Sequence, residues 1–198
     1  MAKILVIESF LSKDYSLAHY ATKKFIEEYQ KKHPNDEVIT LDLNQEQKLQ
    51  TVLSANNFDT FWNEDSQRYI DLLFSVDKII VGTGMVNFFI SPVLKNFLDN
   101  VLVANKTFKY KYDGKGESEG LLNPNTKVQL IMSQGADKGW YPFAGFDNYL
   151  EHVFEFAGIK NIQSLVFYGT KTHEQRDLNI EQKFKLKEKE FNNCLENF

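Results

Sequence analysis

Apolar residues follow two rhythms along this chain. Short, nearly unbroken runs recur at Ile4–Ile7 (ILVI), Glu37–Leu43 (EVITLDL), Lys78–Gly82 (KIIVG), Lys127–Ser133 (KVQLIMS) and Gln163–Gly169 (QSLVFYG), and these are the predicted strands. Continuous runs such as ILVI suit strands buried on both faces. Between the runs, apolar positions fall three and four apart. Ser16–Lys32 brings Ala18, Ala21, Phe25, Ile26 and Tyr29 onto one helical face, and Pro34 stops it. Further helices are expected over Gln45–Ala55, Asp59–Phe74, Ser91–Val103, Phe146–Ala157 and Gln175–Leu195, with Pro92 at a tolerated first-turn position and Gly158 as a stop. Thr107–Leu122 alternates instead and contains Asp113-Gly114, the pattern of a hairpin excursion.

Strands alternating with helices imply a parallel sheet with right-handed crossovers, covered on both faces. Five such strands suit one α/β domain over residues 1–198, a flavodoxin-like three-layer sandwich with strand order 2-1-3-4-5. Ligands of such sheets bind beyond the carboxyl ends of the strands, where the order reverses between strands one and three. That rule points to the segments after Ile7, Val81 and Met132.

Each of these segments departs from an ordinary loop. After the first strand, Ser9, Ser12, Tyr15 and Ser16 place hydroxyls before a helix N-terminus, whose free N–H groups and dipole favour an anion. One lysine, Lys13, accompanies them, without the Gly-x-x-x-x-Gly-Lys of a triphosphate loop. The cradle therefore suits a phosphate monoester, while a plain N-cap role for Ser16 explains the same residue without a ligand. The stretch GTGMVNFF after the third strand is unusual in being apolar, since loop backbone needs polar partners. A flat ligand would supply those partners and be walled by Met85, Val86 and Phe88. Its Gly-Thr-Gly follows the wrong strand for a dinucleotide fingerprint and lacks the third glycine, Asn87 standing there instead. After the fourth strand, SQGADKGWYPF offers Gly135 and Gly139 for close backbone approach and Trp140, Tyr141 and Phe143 as a cover, or else an ordinary glycine-rich loop. A ligand with one phosphate, a flat apolar body and an amide-seeking edge fits all three segments, and FMN meets that description.

Composition and charge narrow the classes. A net charge of −4 and a pI near 5.6 give no general attraction to nucleic acid or anionic membrane. Cys194 is the single cysteine, so no internal disulfide or cysteine-based metal motif is expected. MAKILVIES is too short for a signal segment and no apolar run reaches membrane-spanning length, so a cytoplasmic protein is expected. His19, His33, His152 and His173 are scattered, which argues against a metal or acid/base cluster.

Three pieces of the sequence carry a resemblance. Met85-Val86-Asn87-Phe88 followed by ISPVLKNFLD, Thr107–Tyr110 (TFKY), and Ser133-Gln134-Gly135-Ala136 are similar to the FMN-dependent NADH-azoreductase family of flavodoxin-like quinone reductases, over nearly the whole chain. The resemblance implies non-covalent FMN held at Ser9, Ser16, Leu17 and Ala18 on the phosphate side. It implies further contacts from Met85, Val86, Asn87 and Phe88 around the ring and from Ser133, Gln134, Gly135 and Ala136 at its outer portions. Four departures stand out. Ser16-Leu17-Ala18 replaces a Ser-Gln-Ser triplet, Phe10 a serine, Val86 a tyrosine, and Gln134-Gly135 an Arg-Gly pair. It further implies a homodimer in which NADH reduces the flavin and two electrons pass to a quinone or azo acceptor, with no catalytic protein side chain. Tyr110, Trp140, Phe143 and Phe156 are candidates to shape the substrate cleft. A flavodoxin-like electron carrier serving protein partners would use the same sheet and FMN, but with stronger acidity around the flavin. Hydrolysis of a phosphodiester, an older reading of the family, would want metal ligands or an activated nucleophile.

Overall fold

A computed structural model describes residues 1–111 and 117–198. Five parallel strands form its centre: β1 (Lys3–Glu8), β2 (Glu37–Asp42), β3 (Lys78–Gly84), β6 (Lys127–Ser133) and β7 (Asn161–Phe167). Their order is β2-β1-β3-β6-β7, which is 2-1-3-4-5 when the sheet's own strands are counted. The expected flavodoxin-like arrangement is therefore present. A separate antiparallel pair, β4 (Phe108–Tyr110) and β5 (Ser118–Gly120), is the expected hairpin. Its Asp113-Gly114 tip lies outside the described residues.

Side chains that alternate along a strand build two separate cores. Leu5, Ile7, Ile79, Val81, Val128, Leu130 and Met132 point to one face. There they meet α2 (Glu64–Phe74), α3 (Pro92–Val101) and α4 (Phe146–Phe156). Ile4, Val6, Ile80, Ile131, Leu165 and Phe167 point to the other. That face is covered by α1 (Leu17–Lys32), α5 (Ile180–Lys185) and α6 (Glu188–Asn197). Rings dominate the second core: Phe25 lies 5.6 Å from Phe191 and 5.4 Å from Phe198, edge to face. Truncating a ring so buried costs about 3–5 kcal/mol.

Three expected helices differ in extent. Gln45–Ala55 is not an α-helix but two short 3₁₀ turns, Leu43–Gln45 and Gln47–Gln50. Its carbonyls are claimed from outside, because the Asn96 side chain donates to Leu49 O at 2.8 Å and Thr51 O at 3.0 Å. The helix expected from Asp59 begins at Glu64, where the Asn63 side chain accepts N–H bonds from Asp65 and Ser66. An N-cap sets that start more strongly than the acidic stretch before it. The helix expected over Gln175–Leu195 is two helices. Asn179 and Gln182 form a capping box that starts α5, and the chain breaks before α6. The break brings the Phe184 and Phe191 rings to 4.9 Å. Seven residues of unbroken helix would hold them about 10 Å apart along the axis. The last strand also ends at Phe167 rather than Gly169, whose φ of 69° turns the chain out of the sheet. Among the described residues no helix is long and apolar enough to cross a membrane.

Candidate active site at the carboxyl edge of the sheet

The segment between β1 and α1 is polar and tightly tied. Ser9 is buried, and its N–H donates to Gly82 O at 3.1 Å. Phe10, next along, is also buried, its ring 5.1 Å from that of His19. A Cβ at Gly82 would lie 2.4 Å from the Phe10 ring, so this ring needs a glycine on the neighbouring strand. Ser16 caps α1, its Oγ accepting the His19 N–H at 3.1 Å. That bond uses an oxygen lone pair and leaves the hydroxyl proton for an acceptor. Leu17 and Ala18 are buried, so at the first turn they present backbone N–H groups rather than side chains. The His19 ring braces the loop through Nδ1, 2.9 Å from Lys13 O. Since a carbonyl only accepts, Nδ1 carries the proton.

Lys13, the cation of this loop, is already engaged. Its ammonium lies 2.9 Å from carboxylate oxygens of both Glu8 and Asp42. Hydrogen bonds to Glu8 and then Asp42 raise the Lys13 pKa above its ordinary value. Burial alone would raise the Asp42 carboxyl, but the bonds from Lys13 and Asn44 outweigh it and hold the group below the usual range.

The segment after β3 has the opposite character. Val86 and Phe89 exchange both backbone bonds, at 2.8 and 3.1 Å, around Asn87 (φ 45°) and Phe88 (φ 70°). Two successive positive φ values define a type I′ turn. Asparagine tolerates that conformation, whereas a phenylalanine there carries strain of about 1–2 kcal/mol. The Phe88 ring leaves the sheet and packs on Tyr141 (4.8 Å) and Phe143 (5.2 Å). Met85 N–H donates to Ser133 O at 2.9 Å. The N–H groups of Met85, Val86 and Phe89 therefore find partners within the chain, which leaves only the rest of the loop backbone for a ligand to partner. Gly84, beside them, leaves the wall flat. A Cβ there would find only Ser133 atoms, the nearest at 3.6 Å.

The segment after β6 is clamped to the one after β7. Gln134 N–H donates to Phe167 O, Gly169 N–H to Ala136 O, Thr170 N–H to Gln134 O and Lys171 N–H to Gly135 O, at 2.8 to 3.1 Å. The Gln134 side chain turns inward and donates to Ala136 O and Asp137 O.

These segments enclose a cleft of about 410 Å³ at the edge where β1 and β3 meet. Ser9, Ser16, Leu17, Met85, Val86, Ser133 and Gly135 line it. Ala18 and Gln134 are buried behind the wall, Asn87 and Phe88 stand on the exposed turn, and Ala136 belongs to an adjoining hollow of about 560 Å³. Trp140 and Tyr141 border that hollow. Phe143 joins Phe88, whereas Tyr110 and Phe156 gather elsewhere, their rings 5.3 and 4.8 Å from Phe108. The structure adds cleft residues that sequence reasoning did not single out: Leu11, Gly84, Thr170, Lys171, Ile180 and Lys183. The exit from β7 obeys the same strand-end rule as the other three and could have been included. No local pattern marks Ile180 or Lys183.

A phosphate monoester with a flat ring fits this donor set. Hydroxyls and free helix amides lie at one end, and the bare Gly84 with Met85 and Val86 at the other. Comparison with known proteins agrees in both sequence and shape. A protein of Metamycoplasma arthritidis named FMN-dependent NADH:quinone oxidoreductase is 46% identical over 197 residues, spanning 96% of this chain and 100% of that protein. A Malacoplasma penetrans protein of the same name is also 46% identical, over 96% of this chain and 94% of its own. In shape, the chain is similar to an azoreductase from Bacillus anthracis, with a TM-score of 0.82 and 22% identity over the full length of both. An FMN-dependent NADH-azoreductase from the same species, solved with FMN, aligns at TM-score 0.80 and 20% identity, over 99% of this chain and 98% of that one. At those identities the structural likeness concerns the fold. The model of the family described as having a flavodoxin-like fold matches residues 2–189, and the chain belongs to that family.

Proposed function

We propose that this protein is an FMN-dependent NADH:quinone oxidoreductase that also reduces azo compounds. The observation that carries the reading is the cleft itself, which joins the N-terminal hydroxyls and amides of α1 to an apolar wall across the β1/β3 edge. The names of the relatives that match nearly end to end support it. When bound, FMN supplies the redox chemistry, accepting hydride from NADH and returning two electrons to the acceptor. The chain's residues bind and orient. Ser16 would offer its remaining hydroxyl proton to a phosphate oxygen, beside the free N–H groups at the first turn of α1. Met85 and Val86 would wall the ring and exclude water, and Gly84 would let the ring approach. Gln134 shapes the Gly135 loop from within, its side chain donating to Ala136 O and Asp137 O, while its backbone pairs with Phe167 and Thr170 at the exit from β7.

Assembly as a cytoplasmic homodimer belongs to the same reading. Trp140 and Phe143 are 67% and 71% exposed, and half-exposed Phe88 touches the latter, which is more aromatic surface than a single chain usually leaves in water. A second copy over this rim would cover it and narrow the acceptor's approach.

The test is spectroscopic. Protein reconstituted with FMN is expected to show a bound-flavin band that NADH bleaches without air and a quinone restores. A band that NADH bleaches only when a separate reductase is added would replace the enzyme with an electron carrier.

A further inference from the structure

We propose that Lys183, with Lys171 as a weaker second, carries the charge of the phosphate at the start of α1. The proposal rests on reading the cleft as an FMN site. It begins from a charge shortage. Around the β1–α1 loop stand one cation, Lys13, and three carboxylates, Glu8, Asp14 and Asp42, a balance of +1 − 3 = −2. Lys13 is held between two of those carboxylates at 2.9 Å each. A phosphate monoester brings a further −1.5 to −2 or so, and a helix N-terminus offers only about half a positive charge.

Two lysines distant in sequence face the same cleft. Lys183, on α5, is half-buried in its wall, and Lys171 follows the exit from β7. Among the described residues neither ammonium has a hydrogen-bond or ion-pair partner. Nearby lysines that do not line the cleft have them: Lys185 pairs with Glu181 at 3.3 Å and Lys187 with Glu190 at 3.3 Å. The backbone beneath Lys183 is well held. Its N–H donates to Asn179 O at 3.0 Å, and the next residue, Phe184, sets its ring 5.5 Å from Tyr20 and 4.9 Å from Phe191. The Lys171 stem lies across Gly135, 3.2 Å from where a Cβ would stand. A cation fixed at its base and unpaired at its tip, in a cleft short of positive charge, is suited to an anion. Half-buried Lys183 is screened less than exposed Lys171 and contributes more. The C-terminal segment thus supplies the charge that Leu17 and Ala18, at the first turn of α1, do not.

FMN and riboflavin differ by the phosphate alone, so titrating the flavin-free protein with each, by flavin fluorescence, separates charge from ring. The parent is expected to prefer FMN strongly. Lys183→Met keeps the stem and should weaken FMN about ten- to hundredfold, with riboflavin changed less than about twofold. Lys171→Met should act in the same direction by less than about tenfold, and Lys183→Arg should restore most of the loss. An FMN affinity within about twofold of the parent in Lys183→Met would overturn the proposal, as would equal losses of FMN and riboflavin. A raised KM for NADH at unchanged FMN affinity would overturn it too, assigning the lysines to the dinucleotide. A parent that binds FMN no better than riboflavin fails earlier, at the phosphate reading itself.

Discussion

The two loops that meet at the β1/β3 edge solve the same problem with opposite chemistry. The β1–α1 loop is polar and held by side chains: Ser16 on the His19 amide, the His19 ring on Lys13 O, and Lys13 between Glu8 and Asp42. The β3 exit is apolar and held by its backbone, with Val86 and Phe89 paired around two residues at positive φ. The contrast teaches that an apolar loop can satisfy part of its backbone by folding back on itself, as the N–H groups of Met85, Val86 and Phe89 do. Its specificity then lies in what the turn presents. The polar loop has spent its one cation internally, and is open to an anion only through a hydroxyl proton and helix amides.

The largest expected effect breaks the polar loop. Ser16→Asp leaves a good N-cap but puts a carboxylate beside the phosphate position. Charges about 4 Å apart repel by roughly 1 kcal/mol in water and about 4 at an effective dielectric near 20. A folded protein whose FMN affinity falls ten- to thousandfold or so is expected in a flavin titration. Retention within threefold or so would remove Ser16 from the phosphate site. Next is the turn. Asn87→Val forces a β-branched residue into the φ of 45°, and urea unfolding should show a loss of about 1–2 kcal/mol. No comparable loss is expected from Ser12→Val in the exposed part of the other loop, because surface changes usually stay within about 0.5 kcal/mol.

Val86→Tyr sharpens the comparison further. It enlarges the apolar wall without touching the phosphate end, so acceptor rates should shift several-fold while FMN affinity stays within about twofold. Identical kinetics for every quinone and azo substrate tested would take Val86 out of the acceptor's path. The smallest effect belongs to the ion pair. The folded pKa of Asp42 lies below its unfolded value near 4, so its stabilising contribution is full above about pH 4. It is lost as the pH falls through the depressed folded value. Asp42→Asn should flatten that acid limb by less than about 1 kcal/mol, since the pair is partly exposed. Acid unfolding curves that superimpose would show the pair to be idle.

Legibility divided along the same line as distance in sequence. The five runs of apolar residues located every strand of the main sheet: β1, β3 and β6 are buried on both faces and read as nearly continuous apolar runs, while β2 and β7 at the edges kept enough apolar positions to be read despite their exposed residues. Ser16 was legible as a cap, and Met85 and Val86 as a wall. Asn63 as the cap that starts α2 at Glu64, and the 3₁₀ turns before it, have no clear local signal: the first is masked by the acidic residues around it, the second depends on Asn96 reaching over from α3. Tyr110 and Phe156 enter as cleft candidates beside the family resemblance, whereas in this chain both rings gather on Phe108, away from the cleft between β1 and β3.

What the sequence determined by itself is local and periodic. The strand order follows from alternating strands and helices with right-handed crossovers, and the position of the site follows from that order. What only the tertiary structure decided is which distant side chains share the cleft and which charges remain unpaired there. Lys13, adjacent in sequence to the phosphate loop, is neutralised by Glu8 and Asp42 from two strands. Lys183, more than 160 residues from Ser16, lines the same cleft because Phe184 docks α5 against α1. Hydrophobic burial places the helix and is indifferent to the lysine one residue away, so no periodicity in the chain could have announced it.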